Sequence, residues 1–133
     1  MDTIFLDTVG LVALWNRRDQ WHVAAKAAFA KLLTRDVRFV TTTFVLLECG
    51  NAAARHPFRT DVLTLREELL DDGQLIAPSA SDCEQAWAAD ARGEAGDAGI
   101  VDHISFAAMR RLGLTEAFMH NGHFRAAGFV TLF

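Results

Sequence analysis

Four acidic residues and one amide stand where this sequence could build chemistry. Asp7 directly follows an apolar run, and Glu48 sits among leucines. Asp97 and Asp102 lie ahead of an amphipathic stretch, and Asn121 falls inside "EAFMHNGHFRAAGF", from Glu116 to Phe129. Carboxylates a few ångströms apart raise one another's pKa values, so a converging set needs a positive neutraliser. A hard divalent cation with oxygen ligands is the usual one, and Mg²⁺ or Mn²⁺ suits Asp and Glu donors. An ion so held activates water and stabilises charge on a phosphate under in-line attack. Each residue also has a plainer role. Asp7 reads as a helix N-cap, Glu48 as a residue on a helix's solvent side, and Asp97 and Asp102 as cap and first-turn residues favoured by the helix dipole. His123 reads as structural. What separates the two readings is whether the chain brings these groups to one edge.

The elements that would do so are legible. "TIFL" (Thr3 to Leu6) is apolar without alternation, as in a strand buried on both faces of a parallel sheet. Asp7-Thr8 opens a helix with Val9, Leu11, Val12, Leu14 and Trp15 apolar. "DQWHVAAKAAFAKLLTRD" predicts a second helix, with Val23, Ala24, Ala27, Ala28, Ala30 and Leu32 as its apolar set. "VRFVTTT" (Val37 to Thr43) is a β-branched strand. "FVLLECGNAAAR" follows as a helix whose Val45, Leu46 and Leu47 should hold Glu48 against the sheet. "DVLTLREELLDD" is a further helix closed by Gly73, and "QLIAP" a third strand ended by Pro78. Ser81-Asp82 is the expected N-cap of "CEQAWAADAR". "IVDHISFAAMRRLG" is a helix with Ile104, Ala107, Ala108 and Leu112 inward. "EAFM" and "FVTLF" (Phe129 to Phe133) are the last strands.

Strands alternating with helices imply right-handed crossovers and a mostly parallel sheet covered on both faces. Such sheets bind ligands beyond the carboxyl ends of their strands, where Asp7, His120 and Asn121 all fall. Asn-Gly between apolar runs is otherwise a hairpin signal, but the stretch from Met119 to Phe129 is too long for a two-residue hairpin loop.

With 133 residues the chain is expected to be one domain over 1–133. A net charge of −4 argues against a broadly basic surface that grips nucleic acid by charge alone, while leaving room for a local groove. Cys49 and Cys83 make no CxxC pair and are too few for a disulfide framework, so a cytoplasmic setting is expected. "MDTIFLD" lacks the features of a signal peptide, and no apolar run is long enough to span a membrane.

With these residues in place, the sequence resembles the PIN-domain ribonucleases, and specifically the VapC-type toxins of bacterial toxin–antitoxin pairs. "IFLDT" resembles the family's opening strand with its first acid at Asp7, followed by the hydroxyl of Thr8. "TTTFVLLECGNAAAR" resembles the segment carrying the second acid, Glu48. "DAGIVDHISFAAMRRLGLTEAF" is similar to the most distinctive stretch, with its central acid at Asp102 and a further acid at Asp97, and "HFRAAGFVTLF" resembles the closing segment. The resemblance covers nearly the whole chain. It implies a three-layer α/β/α sandwich around a mostly parallel sheet of about five strands, and Mg²⁺- or Mn²⁺-dependent cleavage of RNA. It also implies a homodimer neutralised by a cognate antitoxin. Asp7, Glu48 and Asp102 are the expected metal ligands, Asn121 a further catalytic position, and Asp97, Thr8 and His123 site neighbours.

One position departs from the family. Relatives carry aspartate before the "HF" pair, where this chain has Asn121. Asparagine keeps a carbonyl oxygen but no charge, which implies a weaker metal site. A catalytically silent PIN-like module that binds an antitoxin or RNA is the competing expectation. A dehalogenase-like phosphatase fails, because it needs a second acid where Val9 stands. Arg110, Arg111 and Arg125 are candidate phosphate contacts. Trp15, Trp21, Phe29 and Phe44 are more aromatic surface than a small core absorbs, so some of them are expected in an exposed patch suited to an interface.

Overall fold

The computed structural model describes residues 1–133. Its centre is β1 (Asp2–Leu6), whose Ile4, Phe5 and Leu6 are buried, as an unbroken apolar run requires of a strand covered on both faces. β2 (Val37–Thr42) and β3 (Leu75–Ile76) add on one side of it, β4 (Glu116–Phe118) and β5 (Val130–Thr131) on the other. The order is β3-β2-β1-β4-β5 and every pairing is parallel. The chain therefore winds outward in opposite directions from β1 and β4, and the crevice between them is the switch point of the sheet.

Seven helices cover the sheet: α1 (Thr8–Trp15), α2 (His22–Leu32), α3 (Thr43–Ala53), α4 (Arg59–Asp71), α5 (Ala80–Ala91), α6 (Ile100–Leu112) and α7 (Gly122–Ala126). Right-handed crossovers place the first four over one face and the last three over the other, giving the expected three-layer sandwich. In α6 every residue from His103 to Met109 is buried, because it is gripped between the sheet and α5. Phe106 of that helix packs edge-on to Phe124 at 4.8 Å and beside Phe129 at 5.5 Å. None of the helices is long and apolar enough to cross a membrane.

Several sequence expectations are corrected. The stretch after β4 is not simply loop: α7 forms there, and because β4 and β5 run parallel no hairpin joins them. The cap of α5 is Ser79, not Ser81-Asp82. Ser79 accepts from the Asp82 N–H while the Asp82 carboxylate accepts from the Ser79 N–H, a capping box closed at both ends. In α2 the buried residues are Ala25 and Leu32, while Val23, Ala24, Ala27 and Ala30 face outward. An alanine-rich helix has no contrast between its faces, so periodicity could not choose the inner one. Leu112 is exposed in the last turn of α6, and Leu47 is exposed beside Glu48. Of the four aromatics from which an exposed patch was expected, Trp21 is exposed; Phe29 packs between Phe39 and Phe118, and Trp15 and Phe44 are half-buried, so the four form no continuous patch. The most exposed tryptophan is Trp87.

Candidate active site

The site is assembled where strands β1, β2 and β4 end. Leu6 is the last residue of β1, and Asp7 leaves the sheet in an extended conformation with its carboxylate accepting from the Val9 N–H at 3.1 Å. The plain role is thus real: Asp7 is the N-cap of α1. It is also buried, at 1% exposure. A cap normally meets water, whereas this one is screened from it and has no cation paired with it. Beneath it the Thr41 hydroxyl donates to the Leu6 carbonyl at 2.6 Å, locking β2 to β1 at the same level. Thr42 then caps α3 by accepting from the Val45 N–H. The threonine run at the end of β2 thereby fixes the start of the helix that carries Glu48.

Glu48 is half-buried and accepts from the Thr8 hydroxyl at 2.7 Å. This bond joins the first turn of α1 to the middle of α3 and aims one carboxylate toward the other. Asp102 enters from the opposite layer. It lies in the first turn of α6, half-buried, where the helix dipole favours an anion. Burial pushes its carboxyl above the usual range, against the Gly99 N–H and the nearby charges of His123 and His103.

These groups feel one another. Burial, then the Asp102 charge, then the Glu48 charge push Asp7 up to about 7, while the Val9 and Thr8 N–H groups pull it down. Cys49, next to Glu48, is fully buried, and its thiol is pushed up to about 12, first by burial and then by the Asp7 charge. So buried a thiol is inert as a nucleophile. In the sequence only its place beside Glu48 points to the site. Neither Asp7, Glu48 nor Asp102 forms an ion pair with a lysine or arginine, in contrast to the buried Asp82, which Arg111 neutralises at 2.8 Å. No group of three His, Cys, Asp or Glu side chains is drawn together tightly enough to hold an ion as placed. The donors are nonetheless hard oxygens around an unneutralised buried carboxylate, which is the chemistry a divalent cation satisfies.

Asn121 stands at the end of the adjacent strand, two residues past buried Met119. It caps α7 in the way Asp7 caps α1: its Oδ1 accepts from the N–H two residues on, that of His123, at 3.0 Å. The two caps therefore flank the switch-point crevice. His120 before it is stacked on Trp21 at 4.3 Å and tilted against Phe133 at 5.3 Å. Asp97 is different. It is exposed in the turn before α6 and nothing in the structure joins it to the other acids.

The arginines expected at phosphates are held elsewhere. Arg111 grips Asp82 through two nitrogens. Arg110 donates to the Ala127 carbonyl and lies over the Phe129 ring at 5.3 Å. Both belong to the last turn of α6, roughly 12 Å from Asp102 at 1.5 Å per residue. Only Arg125 is near the rim, donating to the His120 carbonyl and to Thr131.

Comparison with known proteins bears on the family and the fold. Residues 4–130 match the PIN domain family. Across 96% of its length the chain is 32% identical to the 23S rRNA-specific endonuclease VapC20 of Mycobacterium tuberculosis, covering 95% of that protein. The crystal structure of VapC20, described as a sarcin–ricin loop cleaving toxin, superposes with a TM-score of 0.81 at 30% identity, covering 96% of each chain. FitAcB from Neisseria gonorrhoeae shares the fold, with a TM-score of 0.62 at 18% identity over 98% of this chain and 96% of its own.

Proposed function

The chain belongs to the PIN-domain family, and from that premise we propose that it is a metal-dependent endoribonuclease, the toxin of a toxin–antitoxin pair. The observation that carries the proposal is the buried, unneutralised Asp7 carboxylate, facing Asp102 and Glu48 at the switch point of the sheet. Asp7, Glu48 and Asp102 would hold Mg²⁺ or Mn²⁺. When bound, the ion supplies a Lewis acid that activates water and offsets charge on a phosphodiester. Thr8 orients Glu48 through its 2.7 Å bond, and burial of Asp7 keeps competing water from that carboxylate. Asn121 holds the entrance to α7, and its remaining amide edge is available to orient water or substrate. His123 sets a positive charge near Asp102 when protonated. Asp97 belongs to the outer margin of the site. RNA is the substrate class, and ribosomal RNA is the first to test given the relative's name.

The same reading makes residues 1–133 one PIN domain acting in the cytoplasm, paired with a cognate antitoxin and self-associating as a homodimer. Exposed Val23, Leu33 and Trp21 supply apolar surface for such contacts.

Asn121 favours a second reading, a silent module that keeps the fold and binds RNA or antitoxin, because its one acceptor oxygen is engaged in capping. Asn121→Asp separates the two. Aspartate caps as well as asparagine, so the fold should be kept. The added carboxylate crowds Asp7 and Asp102 without metal and helps bind it when metal is present. The variant should melt below wild type in chelator, bind Mn²⁺ about tenfold more tightly, a gain of roughly 1.4 kcal/mol, and cleave RNA faster. A melting difference indifferent to Mn²⁺ would remove Asn121 from the site. Wild type and variant both inert toward RNA, with Mn²⁺ bound, would favour the silent module.

A further inference from the structure

A substrate with a phosphate backbone needs cations, and the arginines near the carboxyl end of α6 are already engaged. The free ones lie elsewhere. A cavity of about 670 Å³ opens where α1 and α3 end, and Arg17, Arg18 and Arg55 line it. All three are exposed and none forms an ion pair. In a chain of net charge −4, three guanidinium groups without an ion-pair partner converging on one concavity form a local positive field. Asp61, in the first turn of α4, is the one acid on the wall. The wall also has rings. The half-buried Trp15 belongs to it, and His56 lies flat on Phe58 at 5.2 Å with the planes 13° apart.

From this we propose that the cavity is a binding subsite for single-stranded RNA, taking backbone phosphates on Arg17, Arg18 and Arg55 and a base against the rings. The proposal rests on the ribonuclease reading of the acidic site. Its location suits that role. α1 leads from its Asp7 cap to Trp15, and the second half of α3 leads from Glu48 to the turn holding Arg55. The cavity thus lies roughly 10–12 Å from the carboxylates along both helices, by helical rise. A strand held there would extend toward the acidic crevice along a path set by two rigid helices that Thr8 and Glu48 tie together. Stacking with cationic grooves is how single strands are held without base-specific readout. Arginines just beyond helix ends also complement the helix dipoles. That accounts for their sign, but not for their convergence on a cavity with aromatic walls.

The test measures anisotropy of a fluorescein-labelled single-stranded RNA, titrated in EDTA so that it is not cut, with wild type and the Arg17→Gln/Arg18→Gln/Arg55→Gln variant. Only exposed side chains change, so melting temperatures should match. The variant is expected to bind at least tenfold more weakly. Its log–log salt slope should be shallower by about 2, from about 0.7 per lost phosphate contact on a single strand. A second readout keeps only Trp15, through Trp21→Phe and Trp87→Phe, and expects its emission to be quenched by RNA. Equal affinity and slope in wild type and variant would overturn the subsite while leaving the ribonuclease reading intact. Unchanged RNA binding with lost antitoxin binding would overturn it too, and reassign the cavity to an acidic protein segment. A wild type that neither binds nor cleaves RNA would overturn both.

Discussion

Asp7→Asn is expected to abolish most activity and, in the metal-free protein, to raise stability. The carboxylate is 1% exposed and is pushed up to about 7 by burial and by the charges of Asp102 and Glu48, against 3.8 in the unfolded chain. Between those values the native state holds the proton more tightly than the unfolded one, so stability falls as pH rises from about 4 to 7. The full cost of ionising the group, present above pH 7, is roughly 4 kcal/mol at about 1.4 kcal/mol per tenfold change. Asparagine carries no charge, keeps the Val9 cap, and can donate to the neighbouring carboxylates. In EDTA at pH 8 the variant should melt about 10 °C above wild type, with the gap closing toward pH 4. Saturating Mn²⁺ should narrow or reverse that gap, because the wild type gains the ion and the variant does not. RNA cleavage should fall about a hundred- to a thousandfold, the usual loss when a group stabilising transition-state charge is removed. Equal melting at pH 8 and pH 4 would mean that Asp7 carries no electrostatic strain.

A second large effect is expected at Gly10, in the first turns of α1. A methyl group added there would lie 2.0 Å from the Phe118 carbonyl oxygen, 2.7 Å from its carbon and 2.8 Å from its ring. Phe118 ends β4, so Gly10 is what lets α1 settle onto the end of that strand and brings the Asp7 and Asn121 caps close together. The obstacle is backbone in a central strand, which cannot step aside without disturbing β1 pairing at Leu6. Gly10→Ala should therefore cost about 3 kcal/mol or more, set against a helix-propensity gain of about 1 kcal/mol. Gly50→Ala is the control. It is exposed on α3 with nothing within 4 Å of the added carbon, and should stabilise by about 0.5–1 kcal/mol. Urea unfolding of both variants checks the opposite signs, and a neutral Gly10→Ala would show that α1 does not rest on β4 in this way.

These two residues show what the sequence makes legible. Asp7 could be placed because a strand buried on both faces announces itself by an unbroken apolar run, and the rim follows from the strand–helix alternation. Glu48 could be placed through its neighbours, although the exposed Leu47 shows that adjacency to leucines does not fix a face. Gly10 carried no signal, since its value lies in a contact with a strand more than a hundred residues away. α7 was missed because five residues beginning with glycine have little helical propensity. It forms because Asn121 caps it and Phe124 anchors it in the core, both tertiary effects. Arg110 and Arg111 looked free because nothing local predicts Asp82 or the Phe129 ring beside them. Arg17, Arg18 and Arg55 drew no notice in the sequence, because their convergence on one cavity needed the fold.

The central claim is that the acidic crevice cuts RNA with the help of a divalent ion. The most direct measurement incubates the purified, antitoxin-free chain with ribosomal RNA in Mn²⁺, in Mg²⁺ and in EDTA, and maps the ends produced. Discrete cleavage in at least one metal, absent in EDTA and absent with Asp102→Asn, is the predicted result. Cleavage that persists undiminished in EDTA, or that survives the loss of Asp102, would contradict it.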